Sequence, residues 1–449
     1  MKLRRSLTTL SLVFVMYFNT SGGPYTTEAL VAQAGPGLAL LVLLLVPLVW
    51  SIPETLIVGE LASMLPEEGG YYRWVYRAFG RFWAFQNGWW TWLYSLVDMA
   101  IYPVLFNQYL AFFLPGAGQV ARWGIALVVI WGATAINLRG ALPVGRVSVV
   151  LGGTIVAVFA ALALASLPHA THVPWHPLQA PGRGTLGALG IAFSIALWNY
   201  SGWDNASTVQ GEVVDASRTY PRALALALPL VALGYFVPLL GTLSASDWTQ
   251  WRDGGWPQIA LMSAGALGRP LALAVAAAGM LSALGLFNAL LLAYSRVPLA
   301  MAGDGLLPAP LAKTDARGTP RNAVLVSAVL YSIFALVPFS GLVVADVLLY
   351  ALALFLEFGA LIALRRKEPT LRGDFRIPLG RGGVIALAVL PMLVLCGVVL
   401  LEVQDGQYGY PAVLGALAAA ALGPLAYRFA GRAVAGGEVA VEPTRGGPL

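Results

Sequence analysis

The stretch FNTSGGPYTTE, residues 18–28, interrupts an apolar run, LTTLSLVFVMYF, that follows the basic residues Lys2, Arg4 and Arg5. Gly22, Gly23 and Pro24 stand where a membrane helix would carry leucine. From Leu7 to Asn19 a helix rises only about 18–20 Å, against a hydrocarbon core of about 30 Å, so the break falls near mid-membrane. Irregular backbone at that depth leaves N–H and C=O groups unpaired in lipid. It is tolerable only when buried in protein or lining a cavity. The same N-terminus, with a basic start and a short apolar core, also has the form of a secretory signal peptide.

Of the 449 residues, 58% are hydrophobic and 11% charged. Soluble domains carry roughly 25% charged residues, which excludes a soluble class. The single cysteine, Cys396, rules out an intrachain disulfide. Twelve segments have the length and apolarity of membrane spans: 7–34, 37–64, 83–114, 119–138, 146–167, 185–211, 221–244, 271–301, 321–338, 342–364, 383–401 and 410–428. With the N-terminus inside, the tails and the segments 66–82, 139–146, 212–222, 304–321 and 365–381 hold 22 of the 27 Lys and Arg residues. The outer segments hold four, Arg122, Arg183, Arg252 and Arg269, and Arg296 lies inside a span. Basic residues favour the cytoplasmic side, so both termini are expected in the cytoplasm of a multi-pass plasma-membrane protein. The net charge of +6 is thereby a topology signal, and no nucleic-acid partner is implied. A cleaved signal would remove the first anchor of this topology.

A second break lies 180 residues downstream. WNYSGW at 198–203 matches FNTSGG at 18–23 through Asn19 and Asn199, Ser21 and Ser201, and Gly22 and Gly202. The first match opens span one and the second falls in span six, the spacing of two five-helix halves. Each glycine pair alone reads equally as a kink or a close-packing surface. Matched interruptions in corresponding halves point instead to a transporter's binding site. The expected organisation is a first repeat at 1–167, an extracellular loop at 168–184, a second repeat at 185–364, two further helices at 365–429 and a cytoplasmic tail at 430–449.

SGGPYTTE on span one and LWNYSGWDNASTVQGEV followed by RTYPRA on span six resemble the amino acid–polyamine–organocation permeases. So do GELASMLPEEGGYYRWVYRAFG after span two and YSRVPLAMAGDGLLP running into GTPRNA after span eight. FNTSGGPY, GWW…VDMAIYPVLF and LFLEFGALI resemble the polyamine-uptake branch, which includes plant polyamine–proton symporters. The resemblance covers about residues 12–365. It implies an all-α, leucine-transporter-type core of five plus five inverted helices, with helices 1 and 6 interrupted. Substrate would sit between spans 1, 3, 6, 8 and 10, with spans 11 and 12 outside. Ser21, Gly22, Gly23, Ser201 and Gly202 would then present backbone and hydroxyl groups to substrate, and the aromatic at Trp198 would close over it from outside.

Ionisable groups inside a membrane are costly and mark function by default. Asp98 sits mid-way along span three, with Trp90, Tyr94 and Tyr102 at steps of four. A carboxylate among aromatic rings suits an organic cation, through charge pairing and cation–π contact. The alternative is a buried Asp98 satisfied by neighbouring hydroxyls or backbone. Asp204 either binds a substrate amine or caps the half-helix that starts at Asn205. Glu28 is either a lip of the site or a solvated helix end, and Glu357 either contacts the bound cation or reaches the cytoplasmic vestibule. Glu54 and Glu60 read as structural or gating groups, and Arg296 as pairing with acidic or carbonyl groups at an inner gate. Trp198 and Trp203 flank the second break; packing tryptophans have the same pattern.

His169, His172 and His176 share one loop, but Pro174 and Pro177 prevent a regular helix, so no metal site is expected. No nucleotide or hydrolase motif appears, and neither a cofactor nor enzymatic activity is expected. The coupling ion is a proton, on Asp98, Glu28 or another buried carboxylate, or sodium, held by span-one carbonyls and Ser282, unless transport is ion-free exchange. Some relatives carry a lysine on span five that mimics sodium. By register from Arg146 that position falls near Thr154–Ile155, and span five has no lysine. The sequence thus describes a secondary transporter of amines, polyamines or amino acids. The alternatives are a neutral or cationic amino acid exchanger or permease, and a non-transporting nutrient sensor. Oligomeric state is not legible.

Overall fold

A computed structural model describes residues 4–182, 184–335, 343–404 and 410–435. Lys2, Arg183 and most of the expected tail, 436–449, lie outside the described residues. Within them the chain is helical, and one isolated bridge, Leu7 to Val213, is its only β-pairing. Among the described residues seven helices are long and apolar enough to cross a membrane, including Pro36–Met64, Ala141–His169, Ala216–Ala245 and Gly265–Gly303. Leu44, Val128, Leu164, Leu233 and Leu393 project outward, exposed. Such a surface is unfavourable in water and neutral in lipid.

The other expected spans fall short of that length or apolarity for identifiable reasons. Spans one and six are divided, into Thr9–Thr20 and Thr27–Ala34, and into Thr185–Asn199 and a 3₁₀ segment at Asn205–Glu212. Span three is a 30-residue helix, Arg81–Leu110, whose Gln, Asn and Asp side chains dilute its apolarity. The last segment is split at Leu422 into Tyr410–Ala421 and Gly423–Ala435. Span nine is described as Arg321–Phe334, and 336–342 lie outside the described residues.

The Arg81–Leu110 helix packs between Gly268–Tyr294 and Val343–Lys367, which carries its mid-point into the protein interior. The terminal helices lie on its outer flank, where Trp89 Nε1 donates to the Ala419 carbonyl at 3.1 Å and Trp90 Nε1 to the Ala420 carbonyl at 3.3 Å. Span two contains a π-helical turn, Pro47–Ser51. Pro47 has no N–H to offer the Leu43 carbonyl one turn back. The Tyr200 hydroxyl, beside the second break, takes that carbonyl instead at 3.0 Å.

Candidate functional site

The two breaks touch. Asn199 donates through Nδ2 to the Ile195 carbonyl, 2.8 Å, and its Oδ1 accepts from Thr26 Oγ1, 3.0 Å. In the amide orientation its neighbours require, Asn19 donates to the Val15 carbonyl, 3.3 Å, and accepts from the Ala206 N–H, 3.1 Å. Each asparagine thus bonds back four residues along its own helix. Each also bonds across to the residue seven places past the other asparagine. Of these partners, the Ala206 N–H is a main-chain group that the interruption would otherwise strand.

Glycine is required where the breaks cross. Gly202 has φ +99°, and a Cβ there would lie 2.5 Å from the Asn19 carbonyl oxygen. Gly22 has φ +65°, and its Cβ would lie 2.7 Å from both Leu286 Cδ1 and Ser282 Oγ. Both are left-handed conformations that side chains disfavour. Ser282 Oγ donates to the Gly22 carbonyl at 2.6 Å, so these two oxygens of the sodium expectation bond directly to each other. Ile155 Cγ2 lies 2.9 Å from where a Gly23 Cβ would stand. An apolar side chain of span five therefore faces the first break.

Beside the crossing lies a cavity of about 80 Å³. Ser21, Ser201, Gly202 and the half-buried Trp198 line it from the breaks, and Asp98 and Asp346 supply its charges. Asp98 is 8% exposed; the Tyr102 hydroxyl donates to Oδ1 at 2.6 Å and the Tyr294 hydroxyl to Oδ2 at 2.8 Å. Tyr94 stands edge-on between Tyr294 and Tyr350, with ring centroids 5.7 and 5.5 Å apart. Its hydroxyl donates to Asn205 Oδ1 at 3.3 Å. The result is a carboxylate in a phenol-rich pocket that, among the described residues, no lysine or arginine lines.

Several expected residues stand elsewhere. Gly22 and Gly23 shape the break behind the wall and do not line the cavity. Asp204 and Glu357 are buried but likewise off the wall. Asp204 Oδ1 lies 3.1 Å from the Tyr350 hydroxyl, which is also 3.0 Å from Glu54 Oε1 and accepts from the Gly202 N–H at 3.0 Å. Glu357 Oε1 accepts from Asn87 Nδ2 at 3.4 Å. Trp90 is not part of the aromatic face. Steps of four residues drift by about 40° each, so two steps from Asp98 turn it away by about 80°, onto Ala420. Leu395 and Val398 of the Arg381–Gln404 helix do line the cavity, contrary to the expectation that span eleven stays outside. Trp203 is fully buried.

Glu28 is not a solvated helix end: it is fully buried and accepts from the Tyr109 hydroxyl at 3.2 Å and the Gly254 N–H at 3.0 Å. The face that carries the basic loops is laced by ion pairs. Arg296, fully buried, donates to Glu212 at 2.7 and 2.9 Å and lies 3.7 Å from Glu68. Arg365 donates to both oxygens of Glu60, and the Ile377 N–H also donates to Glu60 at 2.8 Å. On the same face, hydrogen bonding from Arg77 holds the Glu368 carboxyl below its ordinary range. Sequence reading missed Tyr294 and Tyr350, which carry no signal among other apolar-helix tyrosines, and the acidic cavity residue Asp346. Asp346 lies four residues into span ten, in VVADVLLY, near an expected end where a charged residue draws no attention.

Helices that cross a membrane, with two interrupted beside a buried polar cavity, define a multi-pass membrane transporter. The sequence model of the family described as Amino acid permease matches residues 7–417. A probable polyamine transporter of Arabidopsis thaliana is 37% identical over 403 residues, 89% of this chain and 80% of its own length. The polyamine transporter PUT1 of Oryza sativa subsp. japonica is 36% identical over 401 residues, 89% of this chain and 74% of its own. The polyamine transporter RMV1 of Arabidopsis thaliana is 37% identical over 399 residues, 88% and 80% respectively. The chain belongs to the amino acid permease family and is a transporter, not an enzyme.

Proposed function

We propose that this protein is a plasma-membrane importer of organic amines, polyamines foremost, working by alternating access around its two broken helices. The observation that carries the amine reading is the Asp98 cavity: two carboxylates, five phenols and no cationic side chain among its described lining residues. A buried carboxylate in such a setting favours a cation that brings its own charge and offers its surface to the rings. The names of the plant relatives agree with this choice.

The reading includes twelve membrane helices and two inverted halves, 1–167 and 185–364, with the loop 168–184 outside. The helices of 365–429 flank the halves, and both termini, with the tail 430–449, lie in the cytoplasm. The reciprocal bonds of Asn19 and Asn199, each at the same offsets, support the two-half arrangement. Glu60, Arg296 and their partners would form the inner gate, and Glu28 with Tyr109 the outer. Proton coupling is favoured over sodium because Ser282 Oγ is committed to the Gly22 carbonyl. Buried carboxylates near the breaks supply sites for a proton.

Proteoliposome uptake tests the function with two ligands that differ only by a carboxylate, lysine and 1,5-diaminopentane. The diamine is expected to enter faster, and more so with an inward proton gradient. Faster lysine flux would mean an amino acid permease, and diamine binding with no flux would mean a sensor. Topology is testable by labelling single cysteines in a Cys396→Ala background. Positions in 168–184 should react from outside intact cells and positions in 365–381 should not; the reverse pattern would overturn the orientation.

A further inference from the structure

We propose that Asp346 forms one ammonium seat together with Asp98, and that this pair discriminates against substrates bearing a carboxylate. The inference rests on the amine reading above and assigns its selectivity to a residue outside the recognised motifs.

The two aspartates differ in what they still lack. Both oxygens of Asp98 already accept a phenol proton, from Tyr102 and from Tyr294. Asp346 lines the same cavity, is only 7% exposed, and its Oδ1 has no hydrogen-bond partner. The two carboxylates come from different helices, Arg81–Leu110 and Val343–Lys367, and line one cavity together with Tyr102 and Tyr294. An unpaired buried carboxylate oxygen is strongly unfavourable unless a donor arrives. Among the described residues no lysine or arginine lines this cavity to provide one. A primary ammonium brings three N–H donors and a positive charge. It can give one N–H to Asp346 Oδ1 and another to the remaining lone pair of an Asp98 oxygen, neutralising charge that the phenols only solvate.

The same surroundings refuse an anion. At the breaks, where half-helix N–H groups could hold a carboxylate, four of the donors are already engaged. The Gly23 N–H goes to Ser21 Oγ at 3.1 Å and the Gly202 N–H to the Tyr350 hydroxyl at 3.0 Å. The Ser21 and Gly22 N–H groups both go to the Tyr17 carbonyl. The carboxylate of an amino acid would meet two aspartates and engaged donors, which is specificity by repulsion as much as by attraction.

The test uses the full-length protein in lipid nanodiscs, with equilibrium binding of radiolabelled 1,4-diaminobutane and competition by lysine and 1,5-diaminopentane. Asp346→Asn is expected to weaken diamine binding about ten- to hundredfold, the range of one charged hydrogen bond. It should also narrow the diamine-over-lysine preference by about tenfold, because the new amide can donate to a carboxylate. Asp346→Glu should keep diamine affinity within about threefold. A merely structural role would lower affinity for both competitors alike, and that result, or unchanged diamine affinity in Asp346→Asn, overturns the seat. Should Asp346→Asn fail to fold, the wild type decides. Fully N-methylated 1,4-diaminobutane, equal in charge but without N–H donors, should bind at least tenfold more weakly, and equal binding overturns the seat. A wild type that binds no amine overturns the amine reading with it; a wild type that binds, beside an indifferent variant, overturns only the seat.

Discussion

Gly202→Leu is expected to abolish amine binding while the protein still inserts and accumulates in the membrane. A Cβ at this position would lie 2.5 Å from the Asn19 carbonyl oxygen, and the backbone is at φ +99°. The neighbour is main chain, so it cannot rotate away as a side-chain tip would. The two broken helices must separate, and the Gly202 N–H must leave the Tyr350 hydroxyl. Leucine also favours continued helix over interruption. Separation distorts the cavity wall built by Ser201, Gly202 and Tyr350, and a loss of more than about a hundredfold in affinity, roughly 2.7 kcal/mol or more, is expected. Gly22→Leu should act in the same direction less steeply, since its nearest neighbours are the side chains of Leu286 and Ser282. Equilibrium binding on protein matched for monodispersity checks both, and normal affinity in both would reduce the glycines to packing features.

Asp98→Asn is expected to weaken amine binding about ten- to hundredfold, from the loss of a charged hydrogen bond of about 1.5–3 kcal/mol. The substitution keeps the side chain's shape. One of Tyr102 and Tyr294 can still donate to the amide oxygen, and the other then faces an NH₂ donor. The loss should be large for diamines and small for neutral amino acids. If Asp98 instead carries the coupling proton, binding survives, proton-driven uptake collapses and exchange persists. If it is structural, thermal stability falls with no pattern among ligands. Affinity, uptake, exchange and stability on this one variant separate the three, and four unchanged values would remove Asp98 from the site.

The breaks were legible in the sequence because mid-membrane glycine and proline conflict with the demand that every backbone group be paired. Asn19 and Asn199 stood out through the 180-residue offset, although sequence could not say that each would serve the other's helix. Asp98 was legible because a carboxylate in an apolar helix has few explanations. Asp346 was not, because a charge in the first turn of a span reads as a solvated end, and only tertiary packing carries it inward. Trp90 misled because a four-residue step approximates the helical turn without equalling it. Leu395 and Val398 carry no signal at all: an apolar side chain on a peripheral helix looks the same facing lipid or facing a cavity. Glu60 and Arg365 are 305 positions apart, and no local pattern joins them.

The crossed asparagine amides have a mechanical consequence. Each amide spans the gap between one helix's end and the other helix's restart, so neither break can flex without pulling on its counterpart. Two hinges tied in this way have one degree of freedom between them. A half-open intermediate, in which one helix has swung and the other has stayed, would have to give up one of these amide bonds in the protein interior.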